Sequence, residues 1–152
     1  MQSSPSPPDK TASNTAVQAD VGIDPGMVKC GYAIVSVSGV RLAVEIVATE
    51  ALVARLERDI ARGAVRMVCL GNATKSELVL GLIRARWPQL PVTVVDERNT
   101  SLEARRLYYE DHPPKGLWRF VPRGLLVPDQ PLDGYAALLI IERYRQGLNH
   151  KA

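Results

Sequence analysis

At 152 residues the chain is long enough for one full hydrophobic core and too short for two ordinary domains. Hydrophobic residues at 46% and charged residues at 23% are ordinary for a soluble globular protein, and no apolar run approaches the roughly 20 residues of a membrane-spanning helix, so no membrane partner is expected. A net charge of +3 tolerates a polyanion without announcing one, and two distant cysteines, Cys30 and Cys69, with His112 and His150 the sole imidazoles, argue against zinc and for buried thiols in a reducing, cytoplasmic setting.

Residues 1–18 are rich in Ser, Pro, Thr, Asn and Ala without hydrophobic periodicity, and they lack the basic start and apolar core of a signal peptide. A disordered tail is expected there, with residues 19–152 as the single folded domain. In residues 20–24, Asp20, Gly22 and Asp24 alternate with Val21 and Ile23, so a strand puts both aspartates on one face with a side-chain-free gap between them. Pro25 and Gly26 suit the central positions of a type II turn, with glycine taking positive φ. A second strand is expected over residues 31–37, with Tyr32, Ile34 and Ser36 sharing a face, and a third over residues 40–47 across the Ser38-Gly39 turn.

Leu52, Val53, Leu56 and Ile60 keep helical spacing up to Gly63, a suitable C-terminal cap. Residues 65–70 are apolar apart from Arg66, the pattern of a parallel strand covered on both faces, and a loop follows through Gly71 and Asn72. Leu78, Val79, Leu82 and Ile83 form the next helical stripe, closing at Trp87-Pro88. Residues 91–95 read as another buried strand with Asp96 and Glu97 at its carboxyl end. Thr100 with Glu103 forms a capping box for a helix to about Tyr109. Residues 113–131 are irregular and rich in proline and glycine, after which Pro131 fits the first turn of a last helix to about Gln146.

Three strands followed by helix, strand, helix, strand and helix predict an α/β fold with a mixed five-stranded sheet. Three strands are antiparallel, two more are parallel, and helices cover both faces, an order of 3-2-1-4-5 being assumed for the distances that follow. Carboxylates then gather where the parallel strands end: Asp24, the pair Asp96 and Glu97, and Asp133 at the start of the last helix. Asp133, Ala136, Ala137, Ile140, Ile141 and Tyr144 keep one helical stripe, which aims Asp133 at the sheet, although a first-turn aspartate also suits the helix dipole. Strand alternation lets only one of Asp96 and Glu97 face inward, and strand five lies roughly 10 Å from strand one. A long glutamate side chain on a curling loop is able to close that gap, leaving Asp96 to hold the loop or pair with Arg98, but the residues themselves leave the choice between the two open. Such carboxylates are the ligands a two-metal phosphodiester nuclease needs.

Asp24, Gly26, Lys29, Gly31 and Ala33 form the pattern Asp-x-Gly-x-x-Lys-x-Gly-x-Ala. Residues 95–105 carry Asp-Glu-Arg, and residues 132–137 read Leu-Asp-Gly-Tyr-Ala-Ala. In this order the three blocks resemble the YqgF (RuvX) family of the RuvC-like branch of the ribonuclease H superfamily. The resemblance implies a ribonuclease H-like fold, Asp24, Glu97 and Asp133 as catalytic ligands of Mg2+ or Mn2+, and phosphate contacts by Lys29 and Arg98. It also implies maturation of the 16S rRNA precursor, with Holliday-junction or single-stranded DNA cleavage as runner-up. Residues 71–76 are terser than the family's loop, so substrate contact by Asn72 is open between that role and a turn. Two rivals from other classes are an inactive nucleic-acid-binding module and a nucleotide-binding fold of the actin and hexokinase kind. The latter closes two such domains over ATP, and this chain holds one.

From Arg98 to Arg123, six cations (Arg98, Arg105, Arg106, Lys115, Arg119, Arg123) face three acids, which equals the net charge of the whole chain. Tyr108, Tyr109, Trp118 and Phe120 interleave with them, as aromatic platforms do in proteins that bind single strands. Arg105, Arg119 and Arg123 are therefore expected to contact substrate, the alternative being a solvated helix face with a folded-over aromatic loop. These residues do not separate RNA from DNA, and the preference for single-stranded RNA comes with the resemblance. Each helix shows one apolar stripe, which the sheet consumes, so a monomer or a weak homodimer is expected.

Overall fold

The computed structural model describes residues 16–73, 75–98, 100–122, 125–129 and 131–150. The expected tail lies outside them up to residue 15; residues 16–18 lead into the sheet, with Gln18 Nε2 donating to the Gly63 carbonyl at 2.7 Å. In chain order the elements are β1 Ala19–Asp24, β2 Lys29–Ser36, β3 Arg41–Ala48, α1 Leu52–Ala61, β4 Val65–Gly71, α2 Ser76–Arg86, β5 Val92–Val95, α3 Thr100–Asp111 and α4 Asp133–His150. The sheet order is β3-β2-β1-β4-β5, which is the assumed order, with the first three strands antiparallel and β1, β4 and β5 parallel, as the element pattern predicts.

Strand alternation divides the core into two layers. Val21, Ile23, Tyr32, Ile34, Val68 and Leu70 face α1 and α2, where Leu52, Leu56, Val79 and Ile83 meet them. On the other face Ala33, Val35, Met67 and Cys69 meet α3 and α4. Both cysteines are buried free thiols. That second face is bare where α4 crosses it: a Cβ on Gly22 would lie 2.2 Å from the Ala137 carbonyl oxygen, and one on Gly31 1.8 Å from that of Asp133. Glycine therefore lets α4 rest on the backbone of β1 and β2, and this contact places the helix start beside the end of β1.

Several details differ from the sequence reading. Gly26 is not among the glycines with positive φ, so the type II turn does not form; the residue is needed because a Cβ would stand 2.1 Å from the Lys29 carbonyl oxygen. Positive φ occurs instead at Gly39 and at the predicted cap Gly63. The helix predicted to contain Pro131 starts at Asp133, leaving the proline before it. Thr100 is already helical, its side chain lies outside the described residues, and Glu103 reaches Arg143 at 3.4 Å rather than turning back as a cap. In α4, Leu138 and Leu139 are buried along with the predicted stripe, because the helix is wedged between sheet and α3. In α2, Val79 and Ile83 are buried while Leu78 and Leu82 are 56% and 49% exposed, so the expectation that no apolar ridge is left uncovered fails.

At the start of β1, Asp20 is fully buried and holds two arginines. Arg66 donates to both its oxygens at 2.8 Å; Arg145 from α4 donates at 3.0 and 2.8 Å and also bonds the carbonyls of Val35 and Ser36. The two aspartates of β1 share a face, as alternation requires, and do different work at its two ends.

Candidate active site

Asp24 is the last residue of β1, half-buried, and Glu97 follows β5, two strands away. The intervening strand lets them meet. Gly71 ends β4, and a Cβ there would lie 1.6 Å from Glu97 Oε1, so the glutamate side chain lies across the bare backbone of Gly71. Burial and the neighbouring Asp24 carboxyl push Glu97 up to about 8, so it holds a proton more tightly than an ordinary carboxyl does. Asp24 is itself raised, by burial first and by the charge of Asp133 besides.

Asp133 opens α4 beside this pair, its backbone carbonyl resting on Gly31, and its carboxylate takes the Lys29 ammonium at 3.0 Å. The structure therefore gathers all three predicted carboxylates at one end of the sheet, and it gives Lys29 a carboxylate partner where a phosphate contact was expected. Asp96 points away into solvent. Its carboxylate accepts from the Arg98 side chain at 2.6 Å and backbone at 3.0 Å, which holds it below the usual carboxylate range. Asn72 Oδ1 accepts from the Glu97 backbone N–H at 3.1 Å, and Arg143 donates to the Asp96 carbonyl at 2.8 Å. Asn72 thus acts as a clip on the β5 loop, and Arg98 is engaged by its neighbour while remaining exposed.

The remaining predicted contacts sit elsewhere. Arg105 is half-buried on α3 near Tyr109, and Arg119 stacks on Phe120 at 4.9 Å in the short 3-10 turn Gly116–Phe120. Arg123 lies outside the described residues. Gly71 and Arg143 were not singled out from the sequence. A glycine closing an apolar strand was a usable signal for the first; nothing local marks the second.

The donor set suits a hard divalent cation in two respects. Glu97 Oε1 is buried with no hydrogen-bond partner among the described residues, and burial together with a neighbouring acid raises both Asp24 and Glu97. In a third respect the set is incomplete: among the described residues no three such side chains surround a common point, Asp133 being engaged by Lys29.

Curated relatives share part of this chain. Proteins named "Putative pre-16S rRNA nuclease" from Coxiella burnetii are 44% identical over 57 residues in strain RSA 493 / Nine Mile phase I, and 42% identical over 57 in strain CbuK_Q154. The match covers 38% of this chain and 32% of either relative, so the chain spans about a third of the length of the curated relatives it matches. No family model matches. Among solved structures, RuvC of T. thermophilus in complex with a Holliday junction substrate superposes with a TM-score of 0.51 at 18% identity, covering 86% of this chain and 96% of that one. The fold is thus the ribonuclease H-like fold of RuvC, and the resemblance read from the three sequence blocks is met by relatives of the implied name.

Proposed function

We propose that this chain is a metal-dependent nuclease that hydrolyses phosphodiester bonds in RNA, with the 16S rRNA precursor as its substrate. One observation carries the reading: Glu97 is laid across Gly71 to reach Asp24, leaving a buried carboxylate oxygen without a partner beside two further acids. Burying acids this close together costs stability, and groups perturbed in this way cluster at functional sites. Asp24 and Glu97, joined by Asp133 once Lys29 releases it, would hold Mg2+ or Mn2+, which when bound would stabilise charge on the phosphoryl oxygens and acidify the attacking water. Lys29 exchanges its partner Asp133 for a substrate phosphate, so one ammonium serves both states. Asn72, Arg98 and Arg143 keep the β5 loop curled so that Glu97, not Asp96, faces inward.

The test is cleavage of labelled single-stranded RNA, single-stranded DNA and a four-way junction, each with Mg2+, Mn2+ or EDTA. RNA is expected to be cut fastest and EDTA to stop all cutting. Paired symmetrical nicks in the junction at a higher rate would replace the proposed substrate with a junction and call for a dimer, for which the exposed Leu78 and Leu82 ridge is available. Cutting that persists in EDTA removes the metal from the reading.

Protonation offers a second check. The ordinary Glu97 value is 4.5 and the folded value about 8, so between them the folded protein keeps a proton the unfolded chain has lost. Raising the pH through that window therefore weakens the cation-free fold. A divalent cation must displace the proton, so Mn2+ should raise the melting temperature more at pH 8.5 than at pH 6. Equal shifts at both would separate cation binding from Glu97.

Gly71→Ala tests the cradle. The added Cβ meets the far end of the Glu97 side chain and, at 2.9 Å, Ile140 Cδ1, both able to move. The protein should fold at a cost of about 1–3 kcal/mol and lose most of its cleavage. Parent-like cleavage would mean that Glu97 works from some other position.

A further inference from the structure

Beyond the carboxylate cluster, a cavity of about 740 Å³ opens between the C-terminal half of α3 and the segment that follows. Its size is that of a small-molecule pocket. Tyr108 and Tyr109 stand edge to face at 5.1 Å, and the His112 ring stacks on Tyr108 at 4.6 Å with an interplanar angle of 16°. Trp118, 66% exposed, lines the same cavity, and among the described residues no ring or cation stacks on its indole. Three charged groups line the same space: Asp111, which Arg41 and the Tyr135 hydroxyl already engage, and Lys115 and Asp129, neither with a hydrogen bond or ion pair among the described residues. The neighbouring Arg119 lies over Phe120 and has no carboxylate partner among those residues.

We propose that this cavity binds an unstacked nucleobase of the single strand whose backbone is cut at the carboxylate cluster; the proposal rests on the nuclease reading and adds a second contact point to it. Three needs are visible. A flat π face must cover Trp118, donors must reach the Asp129 carboxylate, and an anion must meet Lys115 and Arg119. One nucleotide supplies all three: the ring stacks, exocyclic amino groups or ring N–H groups donate to Asp129, and the phosphate takes the cations. An apolar peptide side chain supplies the first alone and leaves both charges unanswered. Pocket and cluster are joined through α4. Asp133 and Tyr135 lie within one turn of that helix, and the Tyr135 hydroxyl donates to Asp111, which lines the cavity, at 3.0 Å. A strand seated at the carboxylates therefore meets the pocket a few nucleotides away.

The experiment uses the full chain in EDTA, where no cleavage occurs, and reads fluorescence anisotropy of a labelled ten-nucleotide RNA and of the same ribose-phosphate strand without bases. Trp118→Ala should weaken binding of the RNA by roughly five- to a hundredfold and leave the base-free strand unchanged. Trp118→Phe should restore most of the loss. The slope of affinity against salt should be the same in all three proteins, because phosphate contacts are untouched. With its side chain exposed, Trp118 is replaceable without unfolding. Equal affinity of parent and Trp118→Ala for the RNA overturns the proposal and leaves the cavity to an apolar peptide. A loss that extends to the base-free strand, or no RNA binding by the parent, overturns it too. Because binding is read without turnover, a chain that cuts nothing yet passes this test refutes the nuclease reading alone.

Discussion

Asp24→Asn is expected to fold, to melt at a higher temperature than the parent in the absence of divalent cations, and to lose cleavage by about a thousandfold, roughly 4 kcal/mol of transition-state stabilisation. The opposite signs share one cause. Burial and the charge of Asp133 raise the Asp24 pKa, so at neutral pH its ionised form is less welcome in the folded protein than in the unfolded chain. Asparagine keeps the shape and the acceptor oxygen while removing that penalty, and it removes the anionic ligand that a hard cation selects. A structural aspartate would behave otherwise, since its loss would lower stability and activity together. Glu97→Gln should follow the same pattern. Asp96→Asn should barely touch cleavage, because its carboxylate faces solvent and Arg98. Thermal melts and initial cleavage rates of the three variants decide it: a more harmful Asp96→Asn would reassign the inward carboxylate, and parent-like cutting by Asp24→Asn would remove that residue from the site.

The mixed sheet and the gathering of Asp24 and Asp133 at one end of it were legible because they follow from short-range rules, whereas the choice of Glu97 over Asp96 came with the resemblance. Alternation in β1 and β2, the covered apolar run of β4 and the helical spacing in α4 each fix a face, and strand ends then fix where carboxylates meet. Contacts between residues distant in sequence were not legible. That Glu97 crosses two strand spacings depends on Gly71, twenty-six positions earlier, having no side chain; that its loop holds depends on Arg143, forty-six positions later. Lys29 entered through the resemblance as a phosphate contact, and only the fold shows that Asp133 is within its reach. The split stripe of α2 has a similar origin: Leu78 and Val79 are equally apolar letters, and only the packing of the helix on the sheet decides which one is covered.

The largest loss of stability is expected from Asp20→Ala, at the end of β1 away from the acids. Asp20 is wholly buried and accepts four N–H bonds from Arg66 and Arg145, linking β1 to β4 and to the C-terminal part of α4. Removing it leaves the two guanidiniums without their counter-ion, and they do not suffer equally. The Arg66 side chain is 44% exposed and swings into water. Arg145 is 25% exposed and stays pinned by the carbonyls of Val35 and Ser36, so its charge remains partly buried without an opposite charge. Breaking a buried pair from one side costs about 3–5 kcal/mol, a large share of the roughly 5–15 kcal/mol that holds a domain together. Arg66→Ala should cost far less, about 1 kcal/mol, since its partner keeps Arg145. Urea denaturation at constant m-value separates the two, and equal losses would mean that Asp20 depends on Arg66 rather than on Arg145. The functional consequence travels along α4. Its first residue is Asp133 and its thirteenth is Arg145, so the helix that Asp20 anchors is the one that carries the third carboxylate to the site. Asp20→Ala should therefore lose cleavage only in step with unfolding, falling on heating several degrees before the parent does, whereas Asp24→Asn loses it at every temperature.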